Sequence, residues 1–193
     1  MNARRFSRAL FALAWGLSAL GCASRTTEVQ TRLATEKSER KPDLLIRKAR
    51  AYASLGDTTR AEEYLNAARE AGGDEREIVR TLMQVCIDDH RYRAAVGYAE
   101  QFLRRHPRER ELRFVLATLD VALGDANSAL HQLRTVLDEA PDNLEARYVL
   151  AVVLRDEIGD VEAADGEFRE YLRRAPAGVH AEEAQGSLLT RIP

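Results

Sequence analysis

The sequence predicts an all-α chain: an α-solenoid of about four helical hairpins closed by a C-terminal capping helix. Three observations predict it. Apolar residues recur at helical spacing. The pattern is clearest from Glu109 to Pro141, where Val115, Leu116, Leu119 and Leu123 mark one helix and Leu130, Leu133, Val136 and Leu137 the next. Turns between helices fall at Gly56-Asp57, His90-Arg91, Gly124-Asp125 and Gly159-Asp160, at intervals of 34, 34 and 35 residues. Small residues keep the same phase: Ala61, Ala95, Ala129 and Ala164 stand early in each second helix. Two antiparallel helices approach closely only where Cβ is the whole side chain. An irregular bundle has no reason to hold that phase along the chain.

Residues 1–21 read as an export signal rather than as part of the fold. Arg4, Arg5 and Arg8 give a basic start, and Ala9 to Leu20 is an uncharged run of twelve residues. A membrane-spanning helix needs roughly 20. The run ends in Ser18-Ala19-Leu20-Gly21-Cys22, which resembles the bacterial lipobox, where small residues lead into a cysteine. That resemblance implies cleavage between Gly21 and Cys22, a diacylglycerol on the thiol and an acyl chain on the new amino group. An ordinary secretory signal, cut near Ala23, is the alternative. Because Ala23 and Ser24 rather than Asp follow the cysteine, the enteric sorting pattern implies the periplasmic face of the outer membrane. Residues 22–41 then read as the lipidated cysteine and a flexible tether. In it only Val29 and Leu33 are larger apolar side chains, too few to bury a face. About twenty such residues span on the order of 25 Å.

From residue 42 to 178 the chain divides into repeats at about 42–75, 76–109, 110–143 and 144–178. The expected helix pairs are 43–55 with 58–71, 75–88 with 92–105, 109–123 with 126–139, and 143–157 with 161–174. The extra residue of the fourth repeat lies near Asp156-Glu157-Ile158, which predicts a wider turn there. Residues 179–193 predict a capping helix with Ala181, Ala184, Leu188 and Leu189 on one face, since an open array needs a polar end.

The period, the phased alanines and the repeat-ending Pro107, Pro141 and Pro176 resemble the tetratricopeptide repeat. Gly73 stands where the first repeat lacks its proline. The family position facing the alanines carries Ala49, Met83, Ala117 and Ala151, so the Met83 pair is expected to splay slightly. The resemblance implies a right-handed solenoid whose first helices line a concave groove. Carried over by position, the groove residues are Ile46, Arg50, Arg80, Gln84, Ile87, Phe114, Thr118, Val121, Tyr148, Val152 and Arg155. Such an apolar and arginine lining suits an extended peptide or an amphipathic helix. Phe114 and Tyr148 have a second reading, as fillers of the interface between hairpins. The asparagines that the family's chaperone-binding members use to clamp a C-terminal carboxylate are missing.

Little in the chain points to catalysis. The formal net charge is −2, from 29 basic and 31 acidic residues, which gives no electrostatic case for nucleic acid. His90, His106, His131 and His180 are not at metal-ligand spacing, and the two cysteines, Cys22 and Cys86, exclude a disulfide framework. Adjacent carboxylates at Asp88-Asp89 and Asp156-Glu157 point about 100° apart on a helix and form no facing pair. Cys86 reads as a packed thiol. Asp120 reads either as a buried carboxylate held by Arg147 or as partly exposed. The expectation is a non-enzymatic, lipid-anchored scaffold that docks an envelope protein or peptide segment in pilus, secretion or motility assembly. It has no small-molecule substrate and no cofactor beyond the acyl groups on Cys22. A self-associating structural lipoprotein is the alternative.

Overall fold

A computed structural model describes residues 41–189. The predicted signal, Cys22 and residues 23–40 of the tether lie outside the described residues. Among the described residues all regular structure is helical. In chain order the helices are α1 (Pro42–Ser54), α2 (Thr58–Glu70), α3 (Glu75–Asp88), α4 (Tyr92–Arg105), α5 (Arg110–Ala122), α6 (Ala126–Glu139), α7 (Leu144–Val153), α8 (Val161–Arg174) and α9 (Ala181–Gly186). A π-turn, Leu154–Ile158, continues α7. The hairpins are α1–α2, α3–α4, α5–α6 and α7–α8, and each second helix packs on the next first helix, so the chain is a helical solenoid.

The Gly-Asp pairs end one helix and begin the next. Gly56, Gly124 and Gly159 have φ of +76°, +76° and +78°, the left-handed geometry that closes a helix and that a Cβ disfavours. His90 adopts the same geometry at φ +57° without being glycine. The following aspartates cap the second helix: the carboxylates of Asp57, Asp125 and Asp160 accept the backbone N–H of Arg60, Ser128 and Ala163 at 3.0–3.1 Å. Each such cap contributes about 1 kcal/mol. First helices are capped likewise by Asp74 and Asn143.

The fourth repeat's extra residue is absorbed where the sequence places it. In the first three hairpins the turn closes six to one, with Asp57 N–H on Tyr52 O, Arg91 N–H on Cys86 O and Asp125 N–H on Asp120 O. In the fourth, Asp160 N–H reaches Leu154 O at 2.9 Å, one residue further back, and the slack is taken up as the π-turn. The first repeat's glycine also has a cause. A Cβ on Gly73 would lie 2.9 Å from Ala68 O and 3.0 Å from Pro42 Cβ, so a proline ring has no room there.

The core runs as three clusters along the array. Ala49, Ala61, Ala95, Ala117, Ala129 and Ala151 are fully buried between paired helices. Met83 is buried in the same cluster as Ala95 and Ala99. Asp120 is 6% exposed, which settles its burial, but Arg147 does not hold it. Arg147 instead donates to Glu167 at 2.6 Å and to Pro141 O at 2.9 Å. Arg113, one repeat earlier, does the same with Gln132 and Pro107 O. These two arginines stitch a repeat-ending loop to the hairpin that follows it. The capping helix is shorter than expected: α9 spans six residues, Ala184 is buried, and Leu189 is 43% exposed rather than packed. Residues 190–193 lie outside the described residues.

Candidate functional site

The first helices α1, α3 and α5 present one continuous lining. Arg80, Gln84, Ile87 and Phe114 meet around a cavity of about 660 Å³, with Met83, Leu112 and Val115 as its apolar floor. Arg110, Glu111, Asp142 and Asn143 form its polar rim. Arg80 and Gln84 also wall a second hollow of about 390 Å³, shared with Arg50, Ser54, Thr81 and Asp88. Of the expected groove residues, Arg50, Arg80, Gln84, Ile87 and Phe114 line these two adjoining hollows.

Its arginines are tied to acids of the neighbouring repeat. Arg50 pairs with Glu77 at 3.0 Å, Arg80 with Glu111, and Arg76 with Glu109. Gln84 donates to Asp88 at 2.8 Å. Arg50 and Arg80 are about half exposed, so their pairs contribute about 0.2–1 kcal/mol each. An incoming carboxylate can displace such a partner at small cost. Arg110 has no ion pair among the described residues and stands at the mouth of the cavity.

The remaining expected groove residues divide. Thr118 is exposed on the same helix as Phe114, its hydroxyl donating to Val115 O. Val121 and Val152 are half-buried and pack against the cluster of the third and fourth hairpins. Ile46 is 1% exposed and belongs to the first core cluster with Ile78, Leu82 and Val85 of α3. It lines no groove, because the next first helix closes on it.

Tyr148 corrects the expectation more sharply. It is 8% exposed and stacks on His180 at 3.8 Å with an interplanar angle of 7°. It also packs beside Phe168 and Tyr171. Burial and a hydrogen bond to Glu183 push its phenol up to about 12. Arg155 is held by Asp156 at 2.6 Å, bonds Ser187, and lies 5.4 Å over the Phe168 ring. The segment around α9 thus covers the fourth repeat, as a following first helix would. Of the two roles open for the aromatic pair, Phe114 lines the groove and Tyr148 fills the interface.

Position-by-position transfer did not include Met83, Arg110, Asp142 and Asn143. Met83 was assigned to the helix–helix contact, yet its length lets it reach the cavity floor as well. Arg110 opens α5, and Asp142 and Asn143 stand in the loop just before α7, so each lies beside the start of a first helix.

Outside the groove, Cys86 is buried and its thiol is pushed up by desolvation, which describes a packed rather than a reactive sulfur. Among the described residues no group of three or more His, Cys, Asp or Glu is placed to hold a metal ion. None of the described helices is long and apolar enough to cross a membrane.

The family model for the tetratricopeptide repeat matches residues 114–179, the third and fourth hairpins. No curated protein matches the chain. Solved structures share the fold. A tetratricopeptide repeat protein from Parabacteroides merdae superposes with a TM-score of 0.68 at 23% identity, over 76% of this chain and 58% of that one. This chain therefore spans little more than half of that protein. YrrB, described as a TPR protein with an unusual peptide-binding site, superposes with a TM-score of 0.63 at 22% identity, over 80% and 79% of the two chains. MamA from Desulfovibrio magneticus gives 0.63 at 16% identity, over 76% and 90%.

Proposed function

We propose that this chain is a non-catalytic scaffold that binds an extended segment of another envelope protein in the groove from Arg50 to Phe114. The cavity centred on Phe114 carries this reading. Its lining of Met83, Ile87, Leu112 and Val115 takes an apolar anchor, while Arg80 and Arg110 beside it, and Arg50 in the adjoining hollow, orient carboxylates. That YrrB has a peptide-binding site on the same fold supports the use of such an array for peptides. In this reading Cys22 carries the diacylglycerol and N-acyl chains, and the array works at the periplasmic face of the outer membrane. Assembly of a pilus, secretion or motility complex is the service we assign to it. The support for the anchor and its location is the lipobox-like Ser18 to Cys22 and the absence of Asp after the cysteine.

A photo-crosslinking amino acid at Gln84, compared with one at Arg134, tests the groove in intact envelopes. The expected result is one dominant envelope protein captured from Gln84 and lost in Phe114→Ala. Equal capture from both positions would overturn it. Capture of this protein alone would favour the self-associating alternative.

A further inference from the structure

The seams between successive hairpins are filled in different ways. Between the first and second, Arg91 closes the gap. Its guanidinium bonds Glu62 of α2 across the seam and Asp89 of its own turn at 2.7 Å, beside the buried Cys86. Between the third and fourth, the places of Glu62 and Cys86 hold Leu130 and Leu154, both buried. Between the second and third, Asp125 and Asp120 take the places of Arg91 and Cys86, and Val96 that of Glu62. The cation is gone and a buried carboxylate has been added. What remains is a hollow of about 460 Å³ whose lining includes Arg93, Glu100, Asp120 and Asp125.

Asp120 is 6% exposed, yet among the described residues no hydrogen bond or ion pair reaches its carboxylate. A buried carboxylate without a partner is costly. Asp125 is already engaged, since it accepts the backbone N–H of Ser128 at 3.1 Å and the Ser128 hydroxyl at 2.9 Å. Glu100 of α4 is exposed and makes no ion pair among the described residues. Arg93 lines the same hollow and pairs with neither of them.

We propose that this hollow seats one guanidinium group, the side chain of an arginine presented by a partner protein, between Asp120 and Glu100. The two carboxylates come from adjacent hairpins, as Glu62 and Asp89 do around Arg91. A planar guanidinium fork bonds both at once, and it sheds water more readily than an ammonium. Desolvation first, then the charges of Asp125 and Glu100, push the Asp120 carboxyl up to about 6, and a seated cation offsets all three. A metal ion is the poorer occupant, since no three such groups among the described residues are placed to hold one. The hollow shares no lining residue with the two groove hollows, so the seat stands whether or not the groove binds a peptide.

Carboxyl NMR titration of the full chain, with the blocked arginine N-acetyl-arginine amide as probe, tests this. At pH 7 the probe is expected to bind with a Kd on the order of 1–10 mM. At saturation it should draw the Asp120 midpoint down by about one pH unit, and its affinity should fall about tenfold from pH 7 to pH 5 as Asp120 takes a proton. Asp120→Asn keeps the size of the side chain and should keep the helical circular dichroism, but bind about tenfold more weakly. The matching citrulline amide, which has the shape without the charge, should not bind. No binding to the wild type, equal binding to Asp120→Asn, or equal binding of the citrulline compound would each overturn the proposal. So would agmatine binding more than about tenfold tighter than the blocked arginine, which would make the occupant a small free ligand. Binding that appears only in Arg93→Ala would overturn it too, with Arg93 itself as the occupant.

Discussion

Asp120 takes the place that Tyr52, Cys86 and Leu154 hold in the other repeats. Its carboxyl lines a hollow with Arg93, Glu100, Asp125 and Ser128. Desolvation first, then the charges of Asp125 and Glu100, raise it from 3.8 to about 6. The folded state therefore favours the protonated form. Relative to the unfolded chain, this group does no harm below about pH 4, and its penalty grows as pH rises through 6. The full cost is about 3 kcal/mol, at 1.4 kcal/mol per unit. Asp120→Asn should abolish that slope, so its stability advantage over the wild type should grow by about 2–3 kcal/mol between pH 4 and pH 7 in urea titrations. Phe114 and Tyr148 make a second contrast at this scale. Tyr148→Ala removes a buried ring from a stacked cluster and should cost about 3–5 kcal/mol. Phe114→Ala, on the groove wall, should cost about 1 kcal/mol and act on partner capture instead. Equal destabilisation by the two in urea melts would place Phe114 in the core.

At the scale of the element, the π-turn at Leu154–Ile158 is an insertion that the helix has accommodated without disturbing its neighbours. Leu154 stays buried on the core side, Asp156 and Glu157 face solvent, and Gly159 still takes the left-handed close. Deleting Glu157 would align Leu154, Ile158, Gly159 and Asp160 with Tyr52, Leu55, Gly56 and Asp57. The turn should then close six to one like the other three, with stability changed by less than about 1 kcal/mol in thermal or urea unfolding. A loss of several kcal/mol would show that the π-turn supports the α7–α8 packing.

At the scale of the whole molecule, the array is a chain of nearest-neighbour contacts with two different ends. The C-terminal end is covered by α9 through His180 on Tyr148 and Ala184 in the core. At the other end, Tyr52 and Tyr64 are open to whatever precedes α1. The groove between the ends serves three repeats rather than four. The proposed lipid attachment belongs to this scale too. Cys22→Ser should leave the helical circular dichroism unchanged while moving the protein from the membrane to the soluble fraction. Retention in the membrane would count against the lipid anchor.

The sequence by itself determined the repeat period, the helix pairs, the turns and the site of the extra residue. Each of these is local: a left-handed glycine, an aspartate cap or an alanine contact is recorded within one hairpin and repeats in phase. That Arg50, Arg80, Gln84, Ile87 and Phe114 share one side of the first helices was legible for the same reason. The tertiary structure alone decided that Ile46 and Tyr148 are core. Their positions in the repeat match those of Arg80 and Phe114, and periodicity cannot tell them apart. Exposure depends on what lies next along the solenoid: α3 closes over Ile46, and the α9 segment folds back on Tyr148. The partner of Arg147 was hidden likewise, because a long side chain can reach Asp120 or Glu167, and only the packed geometry selects between them.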